Sequence, residues 1–312
     1  MQKYQDILFV STGMTDETDA LKQALSIARN NQASLTALII HPKFPSHLAD
    51  YEKKHEQALM DELRATIQKV SQEIGVDSES MTLTMEAERK TKPAISIIKH
   101  VLKGSVDLVI KQAEQKDSGK GFKALDMDLL RQCPCPVWLC RPIEHHRQDI
   151  KIAVAIDAES ETDEGRDLSI RLLTAADAMA TDCNNAITVI SCWEYEFEEY
   201  LKHNAWAPLP EDRVAEIVME AGNNNLSALR MLMRQAGIVS KTDIHHIKGQ
   251  PEEIIPQFIE DHTIDILVMG TVARSGLLGF IIGNTAENVL QKVGCSLLAL
   301  KPNGFVSPVK AY

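Results

Sequence analysis

Pro93-Ala94-Ile95-Ser96-Ile97-Ile98 leads, fourteen residues after its proline, into Asp107-Leu108-Val109-Ile110. Pro251-Glu252-Glu253-Ile254-Ile255-Pro256 leads, at the same remove, into Asp265-Ile266-Leu267-Val268-Met269. The two passages lie 158 residues apart. Near the ends of the halves, Pro134-Cys135-Pro136-Val137-Trp138-Leu139-Cys140-Arg141-Pro142 faces Gly294-Cys295-Ser296-Leu297-Leu298-Ala299-Leu300-Lys301-Pro302. Such a period is too long for a solenoid unit or a propeller blade. It is the size of one domain, large enough to bury its own core. The chain of 312 residues is therefore expected to hold two related domains, 1–146 and 147–312, with the polar stretch from Ile143 to Gln148 as linker.

Working outward from the repeat, each half reads as strands alternating with helices. Ile7 to Val10 is a continuous apolar run, as in a parallel strand covered on both faces. Leu21, Ala24, Leu25 and Ala28 recur at helical spacing. Leu35 to Ile40 predicts a strand, Ala49 to Ile74 a long helix ended by Gly75, and Met81 to Met85 a short strand. Ala94 to Leu102 is helix, Leu108 to Ile110 strand, Leu125 to Arg131 helix and Val137 to Cys140 strand. The second half predicts strands at Ile152 to Ile156, Ile187 to Cys192, Ile244 to Ile247, Ile266 to Met269 and Leu297 to Leu300. Its helices are expected at Leu168 to Met179, Arg213 to Gln235 (closed by Gly237), Glu253 to Glu260 and Thr285 to Val293. This alternation implies right-handed crossovers and, in each half, a mainly parallel five-stranded sheet with helices on both faces.

Bulk composition narrows the function. The chain is 44% hydrophobic and 25% charged, as soluble globular chains are. Its 33 Lys and Arg against 44 Asp and Glu leave a net charge of −11, which repels a polyphosphate backbone and argues against nucleic acid. No apolar run approaches a membrane span. Only four apolar residues, Ile7 to Val10, follow the polar start, far short of a signal-peptide core, so a cytoplasmic location is expected. Six cysteines stand at 133, 135, 140, 183, 192 and 295. Cys133-Pro134-Cys135 has the spacing of a metal or redox pair, but zinc sites usually supply two spaced pairs or nearby histidines. Cys135, Cys140 and Cys192 fall in apolar, strand-like runs, where a reduced cysteine acts as a small hydrophobe.

Open sheets of this kind bind ligands beyond the carboxyl ends of their strands, where strand order reverses. That singles out Asp157 and the stretch from Gly270 to Thr285 in the second half. In the first half it singles out Ser11-Thr12 and Lys111-Gln112-Ala113-Glu114. Glycines after a strand let backbone amides approach an anion, and a helix starting near Thr285 aims free amides and a positive dipole end at phosphates. Gly270-Thr271-Val272-Ala273, nine residues, then Gly283-Asn284-Thr285 resembles the phosphate loop of the universal stress protein family. The Gly249-Gln250-Pro251 turn and the strand-end Asp157 are similar to features of that family, and two domains in one chain resemble its tandem members.

The resemblance covers essentially the whole chain. It implies two Rossmann-like domains of the adenine nucleotide alpha hydrolase type, with Asp157 and the backbone near Cys192 meeting a ribose or base. It implies ATP with Mg²⁺ as candidate ligand, and a role in surviving starvation or DNA damage. Dimerisation of family members through last strands implies that Val137 to Cys140 pairs with Leu297 to Leu300 in an intramolecular pseudo-dimer, which would cover exposed edges. Association of two chains into a homodimer is left open. The sequence departs from the family at Ala273, where the second glycine would stand, and at Asn284, in place of a hydroxyl residue, although Thr285 follows. The first half departs further. Gln112 stands opposite Gly270, Thr12 replaces the acidic residue, and Gly119-Lys120-Gly121 reads as a flexible surface turn rather than a Walker loop. The first half is expected to bind no nucleotide.

Between the second-half glycines, Leu277, Leu278, Phe280 and Ile281 form an apolar cluster that is either core packing or, with Trp193, Phe197 and Trp206, the wall of a pocket. The pocket reading suits an amphipathic nucleotide-sugar or lipid-like ligand. No nucleophile elbow or His-Glu-x-x-His pattern occurs, and adjacent histidines at 145–146 and 245–246 point to opposite faces, so neither a catalytic set nor a metal site is expected. Three functions remain: a non-enzymatic stress protein holding a small phosphate-bearing ligand, an ATP-binding and weakly hydrolysing switch, and a purely structural interaction protein.

Overall fold

The computed structural model describes residues 4–76, 83–89, 92–114, 116–160, 162–183, 185–203, 209–271 and 282–311. The first half runs β1 (Asp6–Ser11), α1 (Thr18–Asn31), β2 (Ser34–His41), α2 (Ala49–Glu73), β3 (Leu83–Arg89), α3 (Pro93–Lys103), β4 (Leu108–Gln112), α4 (Ala124–Gln132) and β5 (Val137–Cys140). The second runs β6 (Ile152–Ala155), α5 (Asp163–Cys183), β7 (Ile187–Trp193), α6 (Glu198–His203), α7 (Glu211–Ala236), β8 (Thr242–Lys248), α8 (Pro251–Asp261), β9 (Ile266–Gly270), α9 (Asn284–Leu290) and β10 (Ser296–Leu300). Single 3₁₀ turns at Ser46–Leu48 and Arg147–Asp149 precede α2 and β6.

All ten strands join one sheet, in the order β3-β2-β1-β4-β5-β10-β9-β6-β7-β8. Every pairing within a half is parallel; the single antiparallel one joins the halves, with Leu139 opposite Leu297 and Val137 opposite Ala299. The intramolecular pairing expected from the last strands is thus present. Successive strand residues alternate between two cores. Ile7 and Phe9 join Leu21, Leu63, Leu173 and Leu229 beneath α1, α2, α5 and α7. Leu8 and Val10 join Ile97, Leu129, Ile255 and Val289 beneath α3, α4, α8 and α9.

The repeated aspartates have a structural task. Asp107 accepts the amides of Gln5 (2.7 Å) and Asp6 (3.2 Å), and Asp265 accepts the amide of Lys151 (2.8 Å). Each fastens the chain as it enters the central strand of its half. His145 Nδ1 also reaches Asp265, at 2.8 Å, which anchors the linker.

The Gly119–Gly121 turn lies at the surface at Gly119 and Lys120, as read, but it is held at Gly121, which is buried. Gly121 has φ +75°, donates its amide to the Val293 carbonyl at 2.9 Å, and has the Gln291 carbonyl where a Cβ would stand. The buried Arg141 guanidinium takes the carbonyls of Gly119 and Gly121. The backbone carbonyls of the turn, and the close approach of Gln291 that Gly121 permits, hold it in the seam between the halves.

Candidate functional site

The strand order puts a crevice at the carboxyl ends of β6 and β9, and a second at β1 and β4. In the second half Val154 pairs with Val268, so Asp157 and Thr271, each three residues on, leave the sheet side by side. The Asp157 carboxylate accepts the Glu159 amide at 3.1 Å, and its carbonyl accepts the Ser169 hydroxyl at 3.2 Å. Thr271 donates its amide to the Leu300 carbonyl and accepts the Gly283 amide, both at 3.2 Å. These bonds draw the end of β9 and the start of α9 together. The Thr271 hydroxyl is buried, and among the described residues it has no hydrogen-bond partner. Gly283 is the N-cap of α9 and supplies no side-chain cap, so the amides of Asn284 and Thr285 begin the helix without one.

Gly270 also makes room for packing. A Cβ there would stand 2.9 Å from Leu168 Cδ2 of α5. Gly283, at φ −58°, has a backbone that any residue can adopt. Ala273, Leu277, Leu278, Phe280 and Ile281, with Trp206, lie outside the described residues. Cys192 sits half-buried in β7, its thiol pushed up to about 11 by burial, then by Glu194 and Glu252.

Trp193 is held toward α7. Its indole stacks on the His246 ring with centroids 5.5 Å apart and planes 7° from parallel, and it lies against Gly222, whose missing side chain makes the room. His246 Nε2 meets Asn225 Oδ1 at 2.8 Å, and Asn225 Nδ2 donates to Glu159 at 2.7 Å. Burial, then Arg230, holds His246 below the usual histidine range. This Glu159–Asn225–His246 chain was not foreseen, because its members are 66 and 21 residues apart and share no motif. The adjacent histidines do face opposite ways: His245 packs on Phe258 of α8, His246 on Trp193. Among the described residues no three His, Cys, Asp or Glu side chains gather as a metal site.

The first-half crevice is filled differently at its phosphate end. Lys111, three residues into β4, places its ammonium 2.9 Å from Asp126, the third residue of α4. Both side chains are essentially inaccessible, at 2% and 0%. Lys111 also donates to the Gln112 carbonyl at 2.9 Å, and the Glu114 amide donates to Asp126 at 2.8 Å. A carboxylate of the chain itself thus accepts the amide that follows β4, at the positive end of α4. The same positions of the second half, three residues into β9 and third in α9, are Met269 and Ala286, both buried. Thr12, opposite Asp157, gives its amide and hydroxyl to Glu17 at 2.9 and 3.2 Å. A cleft of about 430 Å³ remains beside these groups, lined by Thr12, Met14, His41, Lys43, Glu114 and Leu125 among others.

Two matches of the universal stress protein family cover residues 3–141 and 151–301. The chain is 28% identical over 330 residues to Universal stress protein E of Photorhabdus laumondii, covering 100% of this chain and 99% of that protein. It is 29% identical over 325 residues to Universal stress protein E of Escherichia coli K12, covering 99% and 98%. Among solved structures, a universal stress protein of Pseudomonas aeruginosa UCBPP-PA14 superposes with a TM-score of 0.71 at 25% identity, covering 97% of this chain and 95% of that one. One from Archaeoglobus fulgidus superposes at 0.62 with 14% identity, over 95% and 98%, and shares the fold.

Proposed function

The chain belongs to the universal stress protein family, and on that premise we propose that it is a non-enzymatic, cytoplasmic stress-response protein whose second half holds a small phosphate-bearing ligand. The reading divides the chain into a first domain, 1–146, whose anion position is taken by Asp126 beside an open cleft, and a second, 147–312, with a partly retained phosphate site. The observation that carries it is the exchange of Lys111 and Asp126 for Met269 and Ala286 at matching positions. In the first half an internal carboxylate stands where a phosphate would meet the helix start. In the second no such anion is built in, the helix start has no side-chain cap, and the buried Thr271 hydroxyl lacks a partner among the described residues. A buried hydroxyl left unpaired costs about 1–3 kcal/mol, which a ligand oxygen would offset.

ATP with Mg²⁺ is the candidate. Asp157 and the Cys192 backbone would hold its ribose or base, and Thr271, Asn284 and Thr285 its phosphates. Bound ATP would supply a phosphoanhydride and a chelated cation. This chain's own groups would bind and orient it. No helix among the described residues is long and apolar enough to cross a membrane, consistent with this setting.

Calorimetric titration with ATP and Mg²⁺, with native mass spectrometry of the purified chain, tests the reading. One phosphate-bearing ligand per chain is expected, weakened by Asp157→Ala and by Thr271→Val and indifferent to Thr12→Ala. Two equal sites, or no heat at millimolar nucleotide together with a ligand-free mass, would overturn it.

A further inference from the structure

Cys133 and Cys135 flank Pro134 in the bend between α4 and β5, and neither thiol is used by the ligand site. Cys135 does not lie in a strand, since β5 begins at Val137. Cys133 closes α4, giving its amide to the Leu129 carbonyl at 2.9 Å, and is fully buried; Cys135 is partly exposed. The two sulfurs are 3.6 Å apart, in hydrogen-bond contact. The Lys301 ammonium reaches this corner from the segment after β10. Lys301 is 5% exposed, donates to the Leu130 carbonyl at 2.7 Å and lies 5.0 Å over the Phe305 ring. Among the described residues it has no carboxylate partner; burial holds it down to about 8, and the Cys133 and Cys135 thiols, when ionised, act against that shift. A buried cation beside two touching thiols is a setting that favours the thiolate of one of them.

We propose that Cys133 and Cys135 are a redox-modification site: a hydroperoxide converts them to a reversible disulfide across Pro134, with Lys301 as the positioning cation. The step balances. One thiolate attacks the peroxide O–O bond, becomes a sulfenic acid and releases the second oxygen as alcohol or water. The other thiol displaces the sulfenic hydroxyl, which leaves as water with its proton. Two thiols are oxidised, one hydroperoxide is reduced, and an external thiol reverses the change. Bonding requires the sulfurs to close to about 2.05 Å, a movement within reach of side-chain rotation. The hydrogen bond from Cys135 holds Cys133 below the usual thiol range against the opposing effect of burial, with Lys301 a smaller aid, and the same hydrogen bond, then burial, raises Cys135. Besides Lys301, Tyr4 feels the Cys135 charge; its phenol is raised chiefly by burial. By contrast, burial raises Cys140 and Cys295, which makes them poor nucleophiles.

The test is hydrogen peroxide on the full-length reduced chain, read by differential alkylation and peptide mass spectrometry. A loss of two mass units in the peptide carrying both cysteines is expected, reversed by dithiothreitol, with Cys140 and Cys295 still alkylatable. Cys135→Ser should stop at a sulfenic acid on Cys133, trapped by dimedone. Lys301→Met should slow the reaction severalfold, as the thiolate population falls without the cation, while Lys301→Arg keeps the rate. The proposal is overturned if the pair stays alkylatable at peroxide levels that oxidise surface methionines. It is equally overturned if Lys301→Met, with unchanged circular dichroism, reacts at the wild-type rate.

Discussion

Replacing Lys111 with methionine tests whether the first half fills its own anion position. Methionine is what the second half carries at the matching position, and its flexible side chain suits the space. At 2.9 Å the ammonium and carboxylate attract by about 6 kcal/mol at an effective dielectric near 20, much of it offset by the cost of burying both charges. Removing Lys111 leaves Asp126 wholly buried, with the Glu114 amide still donating to it at 2.8 Å. Breaking such a pair from one side costs about 3–5 kcal/mol. Lys111→Met/Asp126→Ala copies both second-half residues and removes both charges, so most of that loss should return. A coupling of about 2 kcal/mol or more between the sites is expected. Urea unfolding at pH 7, followed by far-ultraviolet circular dichroism and by fluorescence of the buried Trp138, measures it. The reasoning fails if Lys111→Met lies within about 1 kcal/mol of wild type, or if the double variant loses as much as the two singles together.

Three further outcomes follow from single sites. Burial holds Lys301 down to about 8 from 10.5, so the unfolded chain binds that proton more tightly, and the penalty is full below pH 8 and fades as pH rises toward 10.5. Lys301→Met should be about 2 kcal/mol more stable than wild type at pH 7, with the gap closing between pH 8 and 10; a gap independent of pH in urea titrations refutes this. Gly222→Ala puts a Cβ 2.6 Å from the Trp193 ring, so overpacking of about 1–3 kcal/mol should outweigh the gain in helix propensity. It should also shift Trp193 emission, and an unchanged spectrum counts against the packing. Ser296→Ala removes a buried hydroxyl that accepts the Arg141 amide at 2.9 Å and donates to its carbonyl at 3.3 Å across the β5–β10 seam. A loss of about 1–3 kcal/mol in chemical unfolding is expected, and no loss would mean that the seam does not depend on it.

Several elements were legible because their signal is local. The long helix expected from Ala49 to Ile74 runs Ala49–Glu73, Val137 to Cys140 is β5, and Gly237 closes α7 at φ +64°. Other bounds moved where a partner chooses them. The strand read at Met81 to Met85, whose first two residues lie outside the described ones, runs on to Arg89, because β2 pairs with it from Leu35 opposite Leu83 to His41 opposite Arg89. Helix α5 starts at Asp163, five residues before its apolar periodicity becomes visible, since its first turn is acidic. The six-residue α6 is too short and too polar to show a period.

The sequence by itself determined the doubled domain, the alternation of strand and helix, the strand-end positions of Asp157 and Thr271, and the last strands as joining edges. Periodicity and internal repetition carry that information without any knowledge of neighbours. Only the tertiary structure decided that Gly270 makes room for Leu168, that Asp126 neutralises Lys111, and that Lys301 comes to rest beside a cysteine pair 168 residues before it. Steric room, desolvation and Coulomb attraction depend on distance and burial in space, and residues far apart in the chain acquire both only when the sheet closes.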